Sequence, residues 1–332
     1  MQPCWNRPSF LFKERKQPNN GYIFFTLSRA PEYHATQVAN AVAVATQLGA
    51  QLAIPDIRGS NSRHKLQFGE IYDVETFVRS LKGVVQVDKN PAAQLSNMKL
   101  HIVSVPDGVS EDFIASKISP IFRSKRKLKI VTHFNSSKGK LDESSAAYQC
   151  IAMFESLKLH PDLQQLVDSM VATLRSFSHK RGHYIAVDLR VDDSLCQASK
   201  HCYNVQEIGE FLRKIGVERE TSIYLSQTGW SSGLGEFRDV FPNTFTKDAI
   251  MAVDQKARFM DYEKIIDFYI CTESDIFVPS FPGRFYSIVV GKRIAKGRSQ
   301  ILVPAKNTSA TATHYVSPYI AKRSHFAYSC FC

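Results

Sequence analysis

Short apolar runs of strand length alternate with helix-length segments along nearly the whole of this 332-residue chain, and few folds satisfy that alternation. The runs predict strands over 22–27, 51–54, 84–87, 100–105 and 129–133, with helices between them, the first beginning near Ala35. Two further helices are expected over 146–157 and 161–176. The polar stretch SHKRGH at 178–183 interrupts the series. It resumes with a strand over 184–189, a helix over 205–215, a strand over 222–226, helices over 235–240 and 262–269, a strand over 275–278 and a helix over 285–294. Strands separated by helices pair in parallel, because a helical crossover returns the chain to the same end of the sheet. The chain is also too long for one hydrophobic core. The expected organisation is a polar N-terminal extension at 1–20, an α/β domain at 21–177, a linker at 178–183 and a second α/β domain at 184–332 ending in a tail. Two consecutive domains of this type form a cleft lined by the carboxyl ends of their sheets, where nucleotides and nucleotide sugars bind.

Composition removes other classes. An apolar fraction of 44% with 22% charged residues excludes disordered, collagen-like and coiled-coil chains. Lys and Arg outnumber Asp and Glu 42 to 31, which favours an anionic partner without choosing among phosphate, acidic polysaccharide, nucleic acid and membrane headgroups. The run RSKRKLK at 123–129 has no interleaved aromatic residue and reads as a solvated helix end, so no nucleic acid is expected. The most apolar long stretch, 38–55, carries Asn40, Thr46, Gln47 and Gln51 and is not a membrane span. Residues 1–20 have no apolar signal core, so a secretory location requires an upstream segment. Cys196 and Cys202 bracket a polar loop and Cys330 and Cys332 end the chain, which suggests disulfides, while the odd total of 7 leaves a thiol unpaired in a monomer. The sequons at Asn135 and Asn307 point the same way, to the secretory lumen.

Four features carry candidate chemistry. The strand over 275–278 runs through Pro279, Ser280, Phe281, Pro282 and Gly283 into a helix, so the amides of Gly283, Arg284 and Phe285 can face a pyrophosphate at a helix N-terminus. Arg190 ends the strand over 184–189 between Asp188 and Asp192; its fork suits a phosphate, or equally a salt bridge with either neighbour. Glu32 and His34 precede the first long helix, where either is placed to deprotonate a hydroxyl and Glu32 also to complement the helix dipole. GWSSG at 229–233 matches G-x-S-x-G, with Asp267, Asp275, His314 and His325 following in hydrolase order. No Gly-rich oxyanion loop precedes Ser231, and the linker would split a hydrolase sheet, so a surface loop is the favoured reading. D-x-D, H-E-x-x-H and the P-loop motif are all absent, which disfavours metal-dependent transfer and ATPase chemistry.

The segments GYIFFTLSRAPEYH from Gly21, IPDIRGS from Ile54, PIFRSK from Pro120, IAVDLRVD from Ile185, FPNTFTKDAI from Phe241, IDFYICTESDIFVPSFPGRFYSIVVGKRIA from Ile266 and SPYIAKRSHFAYSCFC from Ser317 carry a resemblance. The chain resembles the plant O-fucosyltransferase-like glycosyltransferases, in their mannan-synthesis-related branch. The resemblance implies an α/β fold of GT-B type, with two Rossmann-like domains facing a central cleft. It further implies a GDP-sugar donor of fucose or mannose type, inverting transfer with no metal or other cofactor, and a polysaccharide or glycoprotein acceptor. It implies the Golgi lumen, with the membrane reached only through an N-terminal anchor, and a mannan synthase as possible partner. Arg190 matches the arginine of the family's H-x-R motif, which engages donor phosphates, and Asp275 matches an acid near the nucleotide. Gly283, Arg284 and Phe285 fall on the helix start that cradles the diphosphate, and Arg293 on a basic position further along. Asp188 stands where the motif has histidine, and RAPEYHA at 29–35 replaces the family's G-G-x-N-Q-x-R loop, two changes that mark the branch. The competing expectations are a catalytically silent relative that assists a mannan synthase, and an esterase using Ser231.

Overall fold

The computed structural model describes residues 2–4, 20–59, 65–91, 100–134, 146–178, 182–189, 202–226, 233–305 and 311–331. They form an α/β fold of mostly parallel strands, divided into two compact units, Met1–Pro161 with Ser329–Cys332, and Asp162–Tyr328.

The first unit is built around β1 (Tyr22–Leu27), an apolar strand with room for neighbours on both edges. On one edge β1 pairs in parallel with β7 (Lys127–His133), which pairs with β6 (His101–Pro106). On the other edge it pairs first with β2 (Gln51–Ala53) and then with β3 (Asp56–Arg58). β4 (Lys65–Gln67) adds antiparallel to β3, and β5 (Val87–Asp88) parallel to β2. The entry to β1 needs glycine: Gly21 has φ 138°, and a Cβ there would lie 2.0 Å from the Arg126 carbonyl oxygen. The Ala- and Val-rich helix α1 (His34–Leu48) packs on β1 and stops at Gly49, whose φ of 62° is left-handed. Asn40, buried in that apolar helix, is satisfied: its amide donates to the Pro106 carbonyl at 2.9 Å and its oxygen accepts from Val109 N at 3.1 Å.

His34 at the head of α1 has no exposed surface. Its Nε2 donates to the Ser28 carbonyl at 2.6 Å, which makes Nδ1 the acceptor for the Tyr72 hydroxyl at 2.7 Å. Burial lowers its pKa to about 4, outweighing the Ser28 carbonyl and the nearby Glu32 carboxylate, which favour the charged ring.

The second unit has four parallel strands in the order β10 (Thr244–Phe245), β9 (Ser222–Leu225), β8 (Tyr184–Asp188), β11 (Ile276–Pro279). Strand alternation assigns the two faces. Ile185, Val187, Ile223, Leu225 and Val278 face a cluster supplied by α4 (Val205–Lys214) and α5 (Gly233–Val240), including Ile208, Phe211, Leu212 and Phe237. Tyr184 and Tyr224 point the other way, to α6 (Glu263–Glu273), where their hydroxyls donate to the Ile270 carbonyl at 2.8 Å and to Asp267 Oδ1 at 2.5 Å.

Arg293, on α7 (Arg284–Ala295), is the largest fully buried side chain of the described residues. Its guanidinium donates to the carbonyls of Ser274 (2.5 Å), Asp275 (2.9 Å) and Gln300 (2.9 Å), and more weakly to those of Cys271 and Thr272 (3.3 Å each). The charge therefore sits on the negative end of α6 and satisfies carbonyls the helix leaves unbonded. Desolvation lowers its pKa to about 10, so it stays cationic at neutral pH. Asp275, beside it, takes Tyr184 N at 3.0 Å and the Arg175 guanidinium at 3.2 and 3.3 Å.

The division between units falls one helix earlier than the polar linker suggests. Helix α3 (Pro161–Ser176) goes with the second unit because Arg175 binds Asp275 and Asp162 pairs with Arg258. The last residues return to the first unit through the Cys150–Cys330 disulfide, a link across 180 residues that composition does not reveal. Cys4 and Cys202 are also disulfide-bonded, and Cys271 is a buried cysteine outside any disulfide. No described helix is long and apolar enough to cross a membrane. The sequons at Asn135 and Asn307, with Cys196, lie outside the described residues.

Two outcomes are expected. Arg293→Met removes the donor but leaves the buried carbonyls, and should destabilise the second unit by about 3–5 kcal/mol, read as a lower urea midpoint. His34 in the first unit and His325 in the second, whose Nδ1 accepts from Ala327 N at 3.0 Å, both have pKa values lowered to about 4. Between pH 6.5 and 4 the unfolded chain then binds more protons than the folded one, so stability falls on acidification. The loss from pH 7 to 5 should be about 2 kcal/mol for each ring. Urea titrations at the two pH values check this, and His34→Gln should flatten the dependence of the first unit.

Candidate functional site

In an open parallel sheet the strand exits at the carboxyl edge are the places where main chain and side chains can converge on a ligand. In the second unit, β8 ends at Asp188, β9 at Leu225 and β11 at Pro279. The residues that follow are tied together. Ser226 N donates to the Val187 carbonyl at 3.0 Å and Ser280 N to the Asp188 carbonyl at 3.0 Å, while the Ser226 hydroxyl donates to Asp188 Oδ1 at 3.1 Å. Asp188 is buried at 1% exposure, so its carboxylate braces the edge from within. The exit positions Ser226 and Ser280 carry no motif; only their place after an apolar strand could have marked them.

From Ser280 the chain turns into α7. Gly283 is its N-cap, with extended backbone at φ −127° that any residue can adopt. Glycine is needed there for space: a Cβ would lie 2.4 Å from the Phe281 ring. Gly283 has no side chain with which to cap the helix and the first turn holds no acid, unlike α4, whose Asn204 and Glu207 form a capping box. The first amides of any helix lack intrahelical acceptors, and the positive end of the dipole lies among them. Phe285 is buried against Phe268, with ring centroids 5.6 Å apart, so its main chain is the part available to a ligand. The Arg284 side chain is half-buried at the same turn.

Other expected site residues lie elsewhere. Asp275 precedes β11, and Pro279, at the far end of that strand, is the residue level with Asp188. Four residues of strand separate Asp275 from Pro279, about 13 Å. Asp275 is therefore a clamp at the amino edge, engaged by Arg175 and Tyr184, and not a nucleotide contact of the carboxyl edge. Arg293 is corrected in the same way: every bond it makes goes to main chain or Ser274 at that amino edge. His34, with both ring nitrogens engaged and no exposure, is a strut and not a base. Glu32 is buried at 7% exposure in the turn Pro31–Tyr33 that leads into α1. Arg190, Asp192 and Ser231 lie outside the described residues. Both acids and one of the two histidines an esterase would draw on are committed to structure, while His314 is exposed. Asp267 binds Lys247 at 2.9 Å and the Tyr224 hydroxyl, Asp275 binds Arg175, and His325 is held by main chain on both nitrogens. Among the described residues no group of His, Cys, Asp and Glu is placed to hold a metal ion.

The sequence matches the model of the family GDP-fucose protein O-fucosyltransferase over residues 33–296. Across its whole length it is 43% identical to Protein MANNAN SYNTHESIS-RELATED 2 and 44% identical to Protein MANNAN SYNTHESIS-RELATED 1, both of Arabidopsis thaliana, covering 82% of each. Its fold is similar to that of POFUT1, solved in complex with GDP, at a TM-score of 0.57 and 13% identity, over 86% of this chain and 98% of the other. The family match spans the carboxyl edge of the second unit and the start of α7, and the chain belongs to the GDP-fucose protein O-fucosyltransferase family of glycosyltransferases.

Proposed function

We propose that the chain is a GT-B glycosyltransferase of the Golgi lumen that uses a GDP-sugar of fucose or mannose type in the synthesis of cell-wall mannan or a related polysaccharide. The observation that carries this reading is the uncapped start of α7 at Gly283, at the carboxyl edge of a parallel sheet, within the region matched by a family named for GDP-fucose. A diphosphate there would accept from the amides of residues 283–285, and the helix dipole would stabilise the charge that gathers on it as the donor breaks. Arg190, two residues beyond Asp188 in the sequence, would pair with the same diphosphate, so that protein donors take the part a metal ion plays in other transferases. In the transfer an acceptor hydroxyl oxygen attacks the anomeric carbon, the bond from that carbon to the β-phosphate oxygen breaks, and GDP leaves with the electron pair. The hydroxyl proton goes to a base, for which the sequence offers Glu32. The mannan-synthesis names of the relatives support the polysaccharide class.

A second reading has its own observation. Asp188 stands where the family motif has histidine, and its buried carboxylate is spent on Ser226. An accessory member would bind the GDP-sugar, assist a mannan synthase and not turn over. Sugar release from donor, or transfer to an acceptor, by the purified chain removes this reading; tight GDP binding without either supports it.

Calorimetry tests the shared claim. GDP should bind the wild-type chain, Arg190→Ala should weaken binding roughly 10- to 100-fold, and Gly283→Val, which drives a side chain into the Phe281 ring at the helix start, should weaken it at least as much. GDP binding unchanged in both variants removes the site.

A further inference from the structure

The first unit carries a feature that GDP binding does not use. The helical connections of a parallel sheet ordinarily cover both of its faces with apolar residues. Here basic side chains stand among the apolar ones on one face. Strand pairing sets Tyr22 and Phe24 of β1 level with Lys127 and Lys129 of β7, and Thr26 level with Asp56 of β3, so Thr26, Asp56, Arg58 and Lys129 share a face. The alternation KLKIVTH of β7 follows the same pattern, with Leu128 and Ile130 buried on the opposite side.

At the carboxyl end of this face lies a pocket of about 280 Å³, lined in part by Arg58, Lys129, Tyr33, Phe134, Gln37 and Ser28. That volume lies near the lower end of the range for small-molecule sites and suits one sugar residue better than a nucleotide. Its floor is fixed, because Gln37 Oε1 accepts from Ser28 N at 3.0 Å. One wall is aromatic: Tyr33 and Phe134 pack with centroids 4.5 Å apart. The two cations enter from the strands on either side of β1. Asp56, the acid closest in sequence to Arg58, is engaged by Lys65 at 2.7 Å, and neither Arg58 nor Lys129 has an ion pair or side-chain hydrogen bond among the described residues. Lys129 is partly desolvated, and Lys65 and Arg58 nearby lower its pKa further, with Asp56, already paired with Lys65, opposing them, so three cations share one carboxylate. An anion placed between the two cations would be attracted by both.

We infer that this pocket holds the acidic end of a saccharide, a uronate whose carboxylate lies between Arg58 and Lys129 and whose pyranose face rests on the Tyr33–Phe134 pair. The combination selects the ligand. Two cations alone would take any anion, and an aromatic wall alone would take any sugar, whereas both together require a ring that bears a carboxylate. This inference rests on the glycosyltransferase reading, for which it names an acceptor class: a uronate-bearing polysaccharide in place of a neutral mannan.

Calorimetry with trigalacturonate, mannotriose and sodium sulfate at matched ionic strength tests it, with GDP titrated in parallel. Trigalacturonate should bind saturably, mannotriose and sulfate at least 10-fold more weakly. The double variant Arg58→Gln/Lys129→Gln and the single variant Phe134→Ala should each lose 10-fold or more. Lys129→Arg, which keeps the charge, should retain binding, and GDP binding should be unchanged throughout. Absence of trigalacturonate binding in a chain that binds GDP overturns the inference and leaves the donor site standing. Trigalacturonate binding that survives the double variant, or is equalled by sulfate, also overturns it. Trigalacturonate binding in a chain that does not bind GDP supports the pocket and removes the donor reading.

Discussion

One buried guanidinium holds the second unit in register. Arg293 gathers carbonyls from the end of α6, the entry to β11 and the segment after α7, the same three pieces that Arg298 ties through Glu273 and Asp275. Burying a cation away from water costs several kcal/mol, and this one is retained because nearly all of its donors meet an oxygen. The consequence is positional. With the amino end of β11 fixed against the end of α6, the strand leaves the sheet at Pro279 next to Asp188, and the turn to Gly283 has little freedom about where it delivers the first amides of α7.

The two ends of the β8–β11 pair therefore have different work. At the amino edge, Arg293, Arg175 and Asp275 form a charge cluster satisfied by main chain and by one another. At the carboxyl edge, Asp188, Ser226 and Ser280 bond mainly to hold the strand exits together, and the helix start beside them is left without a capping side chain. A protein that needed only stability would place Ser, Asp or Asn at that N-cap, as α4 does with Asn204. Gly283 forgoes that contribution, and even a methyl group there would displace the Phe281 ring.

How far the sequence reaches depends on whether a feature is local. β1 and α3 are legible to their last residue because apolar periodicity and flanking Gly and Pro mark both ends. The helix start at Gly283 is legible for the same reason. The β3–β4 hairpin is not: each strand has three residues and one buried apolar side chain, too little pattern to register. Val84 and Val85 show the reverse failure, an apolar pair that is buried within a turn before the short strand β5. For Asp275 and Arg293, nearness in sequence to the diphosphate motif does not say which edge of the strand a residue occupies. His34 reads as a solvent-facing base until Tyr72, 38 residues away, closes over its ring. Arg58 and Lys129 belong to segments with no sequence relation to each other, and only β1 between them makes them neighbours on one face.

Main-chain amides at the start of α7 are the proposed donors to the diphosphate, and mutation cannot delete them, so their exchange with solvent is the direct measurement. In hydrogen–deuterium exchange on the wild-type chain, saturating GDP should slow exchange at residues 283–286 by 10-fold or more, while the amides around Arg293 and Ser274, already buried at the amino edge, stay as they were. GDP-dependent protection that appears elsewhere and leaves the start of α7 unchanged would contradict the account.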